Sequence, residues 1–118
     1  ALGLQRGRLT EAAMSEIPSG LAIEQVWAVE AGYASDAAER RPAVRREHLM
    51  RMARLRADGI VIEVGGYADM SGSLIIVRAP SEAAALEIIR EDAYWRTGIW
   101  TSHRARALGR VVREDELP

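Results

Sequence analysis

IVIEVGGYADMSGSLIIVRA, residues 60–79, reads as two short strands joined by a turn. IVIEVGG (60–66) and SLIIVRA (73–79) are dense in β-branched side chains, which fit a pleated, half-buried surface. YADMSG supplies the turn, and Gly65-Gly66 and Ser71-Gly72-Ser73 suit a tight hairpin. The same groups of small residues could bracket an anion through backbone amides, but no phosphate-loop spacing is present.

The flanks of this hairpin decide the class. Upstream, a helix runs to about Ala57 and ends at Asp58-Gly59; Asp36 is one candidate N-cap, and Pro42 suits a first helical turn. Before it, LAIEQVWAVEA (21–31) alternates, with Leu21, Ile23, Trp27 and Val29 on one side and Glu24 and Glu30 on the other. Downstream, Pro80 and Ser81 signal a helix start, EAAALEIIREDA has helical spacing, and Thr97-Gly98 breaks it. A last segment from Trp100, TSHRARALGRVVR, reads as a strand. Strand, helix, strand, strand, helix, strand predicts an α+β fold, a ferredoxin-like βαββαβ sandwich. Two helices would cover one face of a four-stranded antiparallel sheet.

Residues 1–20 end in the turn-like IPSG and read as an N-terminal extension, with Thr10 a candidate cap and Met14 a candidate natural start; residues 21–118 form the domain. A chain of 118 residues with 48% apolar side chains suits one domain with a real core, and one that gains from pairing. The formal net charge of −1 argues against nucleic-acid binding. All 16 basic residues are Arg, so lysine Schiff-base chemistry is excluded; without Cys, so are thiolate nucleophiles and cysteine–zinc sites. No apolar run reaches the length of a membrane span, and no signal-peptide core opens the chain. The expectation is a cytoplasmic protein that needs no cofactor.

On the first helix, Val44, His48, Met52 and Leu55 share one inward arc, while Glu47, Arg51 and Arg54 fall on the far side, with Glu47 and Arg51 spaced as an ion pair. On the second, Ala85, Leu86, Ile88, Ile89 and Ala93 form the apolar arc, and Asp92 falls inside it. A buried carboxylate needs a partner, and adjacent helices would let His48 and Asp92 meet. Two readings stay open on spacing alone. His48 is a core histidine bonded to a backbone carbonyl, or it is a general base whose tautomer Asp92 fixes.

RPAVRREHLMRMARLRADG (41–59), Gly65-Gly66 and SGSLIIVRAPSEAAALEIIREDAYWRTGIW (71–100) together resemble the YciI-like (YCII-related) family, over roughly residues 25–113. That family shows a V-R-x-x-H-L helix, a G-S opening the third strand, and D-P-aromatic closing the second helix. The resemblance implies a ferredoxin-like fold whose sheets pair as a dimeric α/β barrel. It also implies an active site with a His–Asp pair, which falls on His48 and Asp92. Arg45 matches the Arg before the His, and Ser73 the strand-opening Ser. This chain departs at Asp92-Ala93-Tyr94, which lacks the Pro, and at Gly66-Tyr67, where a phenol replaces the family's Pro at the pocket mouth.

The expected catalytic residues are therefore His48 and Asp92, and the expected substrate-binding residues are Arg45, Ser73, Tyr67 and Tyr94. No metal site is expected, since His103 stands far off on the last strand as a surface or edge residue. Trp95 and Trp100 read as dimer contacts or a pocket wall, with core packing as the plainer account. Arg104, Arg106 and Arg110 share one strand parity and read as a solvated or interface edge. Two functions are compatible with this set. One is a cofactor-independent lyase or isomerase using the His–Asp pair. The other is a non-catalytic domain holding a small ligand in the same cleft. Either would be a homodimer with a small-molecule ligand, off the membrane.

Overall fold

The alternation in LAIEQVWAVEA extends further than its quoted span, giving a strand β1 over Leu21–Tyr33. It is followed by a short helix α1 (Ala37–Arg40), a 3-10 turn (Arg41–Ala43), α2 (Arg45–Ala57), β2 (Val61–Gly66) and β3 (Gly72–Val77). Then come α3 (Glu82–Arg90), α4 (Ala93–Arg96), β4 (Trp100–Arg113) and a 3-10 turn at Glu114–Glu116. These elements come from a computed structural model that describes residues 16–118, so Thr10 and Met14 lie outside the described residues. The sheet order is β2-β3-β1-β4 and every neighbouring pair is antiparallel, which is the ferredoxin-like arrangement expected.

Register sorts the side chains. Trp27, Val29 and Ala31 of β1 stand opposite Val77, Ile75 and Ser73 of β3. This parity carries the core, where Val29, Ala31, Ile75, Val77 and Val61 meet Met52 of α2 and Ala85 and Ile89 of α3. The other parity carries charge. Buried Glu24 accepts hydrogen bonds from Arg78 Nε at 2.7 Å and Arg110 Nη1 at 2.9 Å. A carboxylate can be buried there because two guanidinium groups saturate it. At the hairpin a side chain is sterically barred: a Cβ on Gly72 would lie 2.3 Å from the Ala31 carbonyl oxygen.

Both helical segments differ from the single helices read in the sequence. Upstream, Pro42 sits in the 3-10 turn, and Val44 at φ −122° separates that turn from α2. Asp36 makes no side-chain cap bond and instead meets Arg40 at 3.4 Å. Downstream, Ser81 caps α3 as expected, accepting from the Ala84 N–H at 3.1 Å. The helix then stops at Arg90, so Asp92 does not lie on its apolar arc. Asp92 is extended, at φ −78° and ψ 147°, and begins α4. Among the described residues no helix is long and apolar enough to cross a membrane.

Candidate functional site

Asp92 is placed by the break between α3 and α4. As N-cap of α4 its Oδ1 accepts from the Tyr94 N–H at 2.9 Å, satisfying an amide that has no helical partner. The same oxygen lies 2.8 Å from His48 Nδ1, and Oδ2 accepts from Arg51 Nη1 at 3.0 Å. His48 is 6% exposed and Asp92 0%. Burial pushes the Asp92 carboxyl up. The hydrogen bonds from His48 and the Tyr94 backbone, the charge of His48 and the bond from Arg51 outweigh it and hold the group below its ordinary value. An ionised Asp92 at Nδ1 selects the tautomer with the proton on Nδ1, leaving the Nε2 lone pair. Among the described residues Nε2 has no hydrogen-bond partner.

Aromatic rings fix the imidazole plane. Tyr94 stacks on His48 with centroids 3.8 Å apart and planes 10° from parallel. Trp100 meets His48 edge-on at 5.2 Å and Tyr94 edge-on at 5.3 Å. Trp100 is therefore a core residue packed behind the imidazole and does not line the cavity. Its Nε1–H donates to Ser73 Oγ at 3.2 Å, and Ser73 donates in turn to Tyr33 Oη at 3.1 Å. The Ser73 hydroxyl is thus engaged on both sides and holds Tyr33 in place. Desolvation raises the Tyr94 phenol to about 12, with the nearby Tyr33 adding to it, so Tyr94 stays neutral across ordinary pH.

In front of the imidazole lies a cavity of about 230 Å³ between α2 and the β2–β3 hairpin. Arg45, His48, Ser73, Tyr67 and Tyr94 all line it, together with Tyr33 and Arg41. Asp92 is not on its surface but behind His48. Tyr67 stands at the hairpin, half-exposed, and its hydroxyl donates to Glu30 at 3.2 Å. Its pKa is raised, first by desolvation and then by that carboxylate.

Four residues were misread or missed. Arg51 does not lie on the solvent face of α2. Its side chain reaches the Ile88 carbonyl at 2.8 Å as well as Asp92, because Asp92 projects from a helix break one turn beyond Ile88. Glu47 consequently pairs with Arg96 at 2.5 Å and not with Arg51. Tyr33 and Arg41 enter the cavity from the end of β1 and from the 3-10 turn, segments without the periodicity that would have shown their direction. His103 is half-buried. It stacks on Trp95 at 4.3 Å and accepts from Arg90 Nε at 3.1 Å. Among the described residues no three His, Cys, Asp or Glu side chains group as a metal site.

The sequence profile of the YCII-related domain matches residues 26–107. Among curated proteins none matches. Among solved structures the chain is similar to 5-chloro-2-hydroxyhydroquinone dehydrochlorinase from Burkholderia phenoliruptrix AC1100, determined in complex with 2,5-dihydroxybenzoquinone. The TM-score is 0.58 at 18% identity, over 69% of this chain and 90% of that one. At that identity the likeness bears on the fold.

Proposed function

The chain belongs to the YCII-related domain family, and from that premise we propose that it is a cofactor-independent enzyme acting on a small molecule by general acid/base chemistry. The observation that carries this reading is the buried Asp92 carboxylate 2.8 Å from His48 Nδ1, with Nε2 left for the cavity. His48 takes a proton from a bound substrate at Nε2 and can return it elsewhere; Asp92 orients the ring and stabilises the imidazolium that forms. Arg51 keeps Asp92 ionised and Tyr94 keeps the ring in plane. Arg45 and Tyr67 contact the substrate, and Ser73 acts through Tyr33.

Proton removal and return without a redox group is the chemistry of lyases and isomerases. The dehydrochlorinase with the similar fold acts, by its name, on a chlorinated hydroxyhydroquinone. A small hydroxylated ring compound is accordingly the first substrate class to try. The protein works as a homodimer on this reading, supported by the apolar Leu21 and Val111 left exposed on one face of the paired strands β1 and β4.

The test is hydrogen–deuterium exchange into a panel of hydroxylated ring compounds, followed by NMR in heavy water. His48→Gln should lower any enzyme-dependent exchange by about 10²–10⁴-fold, and Asp92→Asn should lower it too. Nitrogen shifts of His48 should report the proton on Nδ1 in the wild type and a mixed tautomer in Asp92→Asn. Saturable ligand binding without exchange in any compound, and with a tautomer indifferent to Asp92, would make the site a ligand-holding one.

A further inference from the structure

Among the described residues the guanidinium of Arg41 has no acidic partner, although it lies against the cavity. Its Nε–H is buried without a hydrogen-bond acceptor among the described residues, and its Cζ sits 5.8 Å from the Tyr33 ring centroid. A buried donor left unmade is costly, and charged donors more so. Arg45, at the start of α2, lines the same cavity and likewise has no ion pair among the described residues.

Elsewhere the arginines are mostly matched. Arg51 is held by Asp92, Arg78 and Arg110 by Glu24, Arg106 by Glu30, Arg56 by Glu63, and Arg96 by Glu47. Arg46, Arg54 and Arg104 also lack an acidic partner among the described residues, but they do not line this cavity. Neither does any Asp or Glu. Among the described residues the lining that Arg41 and Arg45 share with His48 is thus positively charged and uncompensated. Both guanidinium groups lie near enough to Tyr94, which stacks on His48, to pull its phenol down against desolvation.

We infer that Arg41 and Arg45 form an anion clamp, so that the ligand of this cavity is a compact ring compound that enters already carrying a negative oxygen group, a carboxylate or an ionised phenol. The inference rests on the reading of this cavity as the functional site, and it adds Arg41 as a specificity-determining residue. A fork of planar donors suits such a group, and an arriving oxygen gives the buried Nε–H its missing acceptor. Arg45 is exposed, which makes its part of the attraction sensitive to salt.

Calorimetric titration with benzoate, and with its neutral analogue benzamide, tests this. Benzoate should bind saturably, benzamide at least about tenfold more weakly, and added sodium chloride should weaken benzoate alone. Arg41→Gln and Arg45→Gln should each lower benzoate affinity by about tenfold or more, with Arg41→Lys recovering part of the loss. Arg54→Gln, exposed on α2 and off the cavity, should leave benzoate affinity within about threefold, because the clamp does not use it. Equal binding of the two probes, wild-type affinity in Arg41→Gln, or no saturable benzoate binding would each overturn the clamp. If Arg41→Gln does not fold, Arg41→Lys and the salt series on the wild type decide it. His48-dependent exchange on neutral compounds with no benzoate binding would sink the clamp and leave the enzyme. Benzoate binding as described, with no exchange chemistry, would do the reverse.

Discussion

The two helices that flank the β2–β3 hairpin are held to the molecule by different forces. α3 buries Ala85 and Ile89 against the sheet and carries its own cap in Ser81. α2 buries only His48 and Met52, while Leu49 and Met50 are 51% and 56% exposed. What ties α2 down is polar: His48 and Arg51 both reach Asp92, and Arg51 also reaches the Ile88 carbonyl. So α3 is secured by packing and α2 by one carboxylate at the end of the next helical segment. The difference teaches that Asp92 serves two ends, because the group that orients the imidazole also docks the helix that carries it.

The packing side of this comparison predicts the largest loss of stability. Ile89→Ala removes a fully buried side chain from the core and should cost about 3 kcal/mol in urea unfolding. A cost below about 1 kcal/mol would mean that α3 is not the packed element described here. Asp92→Ala comes next, at about 2 kcal/mol. Roughly 1 kcal/mol is the lost cap, and about as much again comes from leaving the His48 and Arg51 donors unmatched. Asp92→Asn keeps a capping oxygen and should cost less than Asp92→Ala. If the two variants cost the same, the cap is not part of what Asp92 contributes.

Acid unfolding sharpens the contrast without removing any packing. Burial pushes Asp92 up, but its hydrogen bonds and the neighbouring positive charges win, and its folded pKa lies below the ordinary 3.8. A depressed carboxylate contributes stability that is present above the unfolded value and is lost as pH falls through the folded one. The loss from Asp92 therefore falls below about pH 4, the usual range of an unfolded carboxylate. Glu24 behaves in the same sense from 4.5, its burial outweighed by Arg78 and Arg110. Stability followed from pH 6 to pH 2 should show a shallower acid limb in Asp92→Asn than in the wild type. Ile89→Ala should lower the whole curve and leave that limb's slope alone.

Legibility followed the same division. The strands, the hairpin and α3 could be read because burial imposes a period on apolar residues, and Ser81 announced a helix start. The inward turn of His48 could be read for the same reason, since it falls in line with Val44 and Met52. Arg51 could not. A long side chain on the opposite arc of a helix can wrap back to a buried charge, and nothing in its spacing records that. Nor could the cavity's Tyr33 and Arg41, which arrive from a strand end and a 3-10 turn. The break before α4 was hidden too, because EDAYWR continues a helical pattern without Pro or Gly. It is the capping bond from Tyr94 to Asp92 that ends one helix and starts the next.

That break gives the smallest effect and the closest test of how Asp92 is held. The family pattern that this sequence resembles has a Pro where this chain has Ala93, and the local geometry admits one. Ala93 is the first residue of α4, where an N–H has no helical acceptor, so a proline there gives up no intrahelical hydrogen bond. Asp92, at ψ 147°, already has the extended backbone that a residue before Pro requires. Ala93→Pro should therefore keep the Asp92–His48 bond and gain up to about 1 kcal/mol by restricting the unfolded chain. Urea unfolding measures the gain, and the nitrogen shifts of His48 report whether its tautomer is kept. A loss beyond about 1 kcal/mol would place the ring in collision with the packing around the buried Ala93. A changed tautomer at unchanged stability would mean that the cap, and not the sheet beneath it, sets where the carboxylate points.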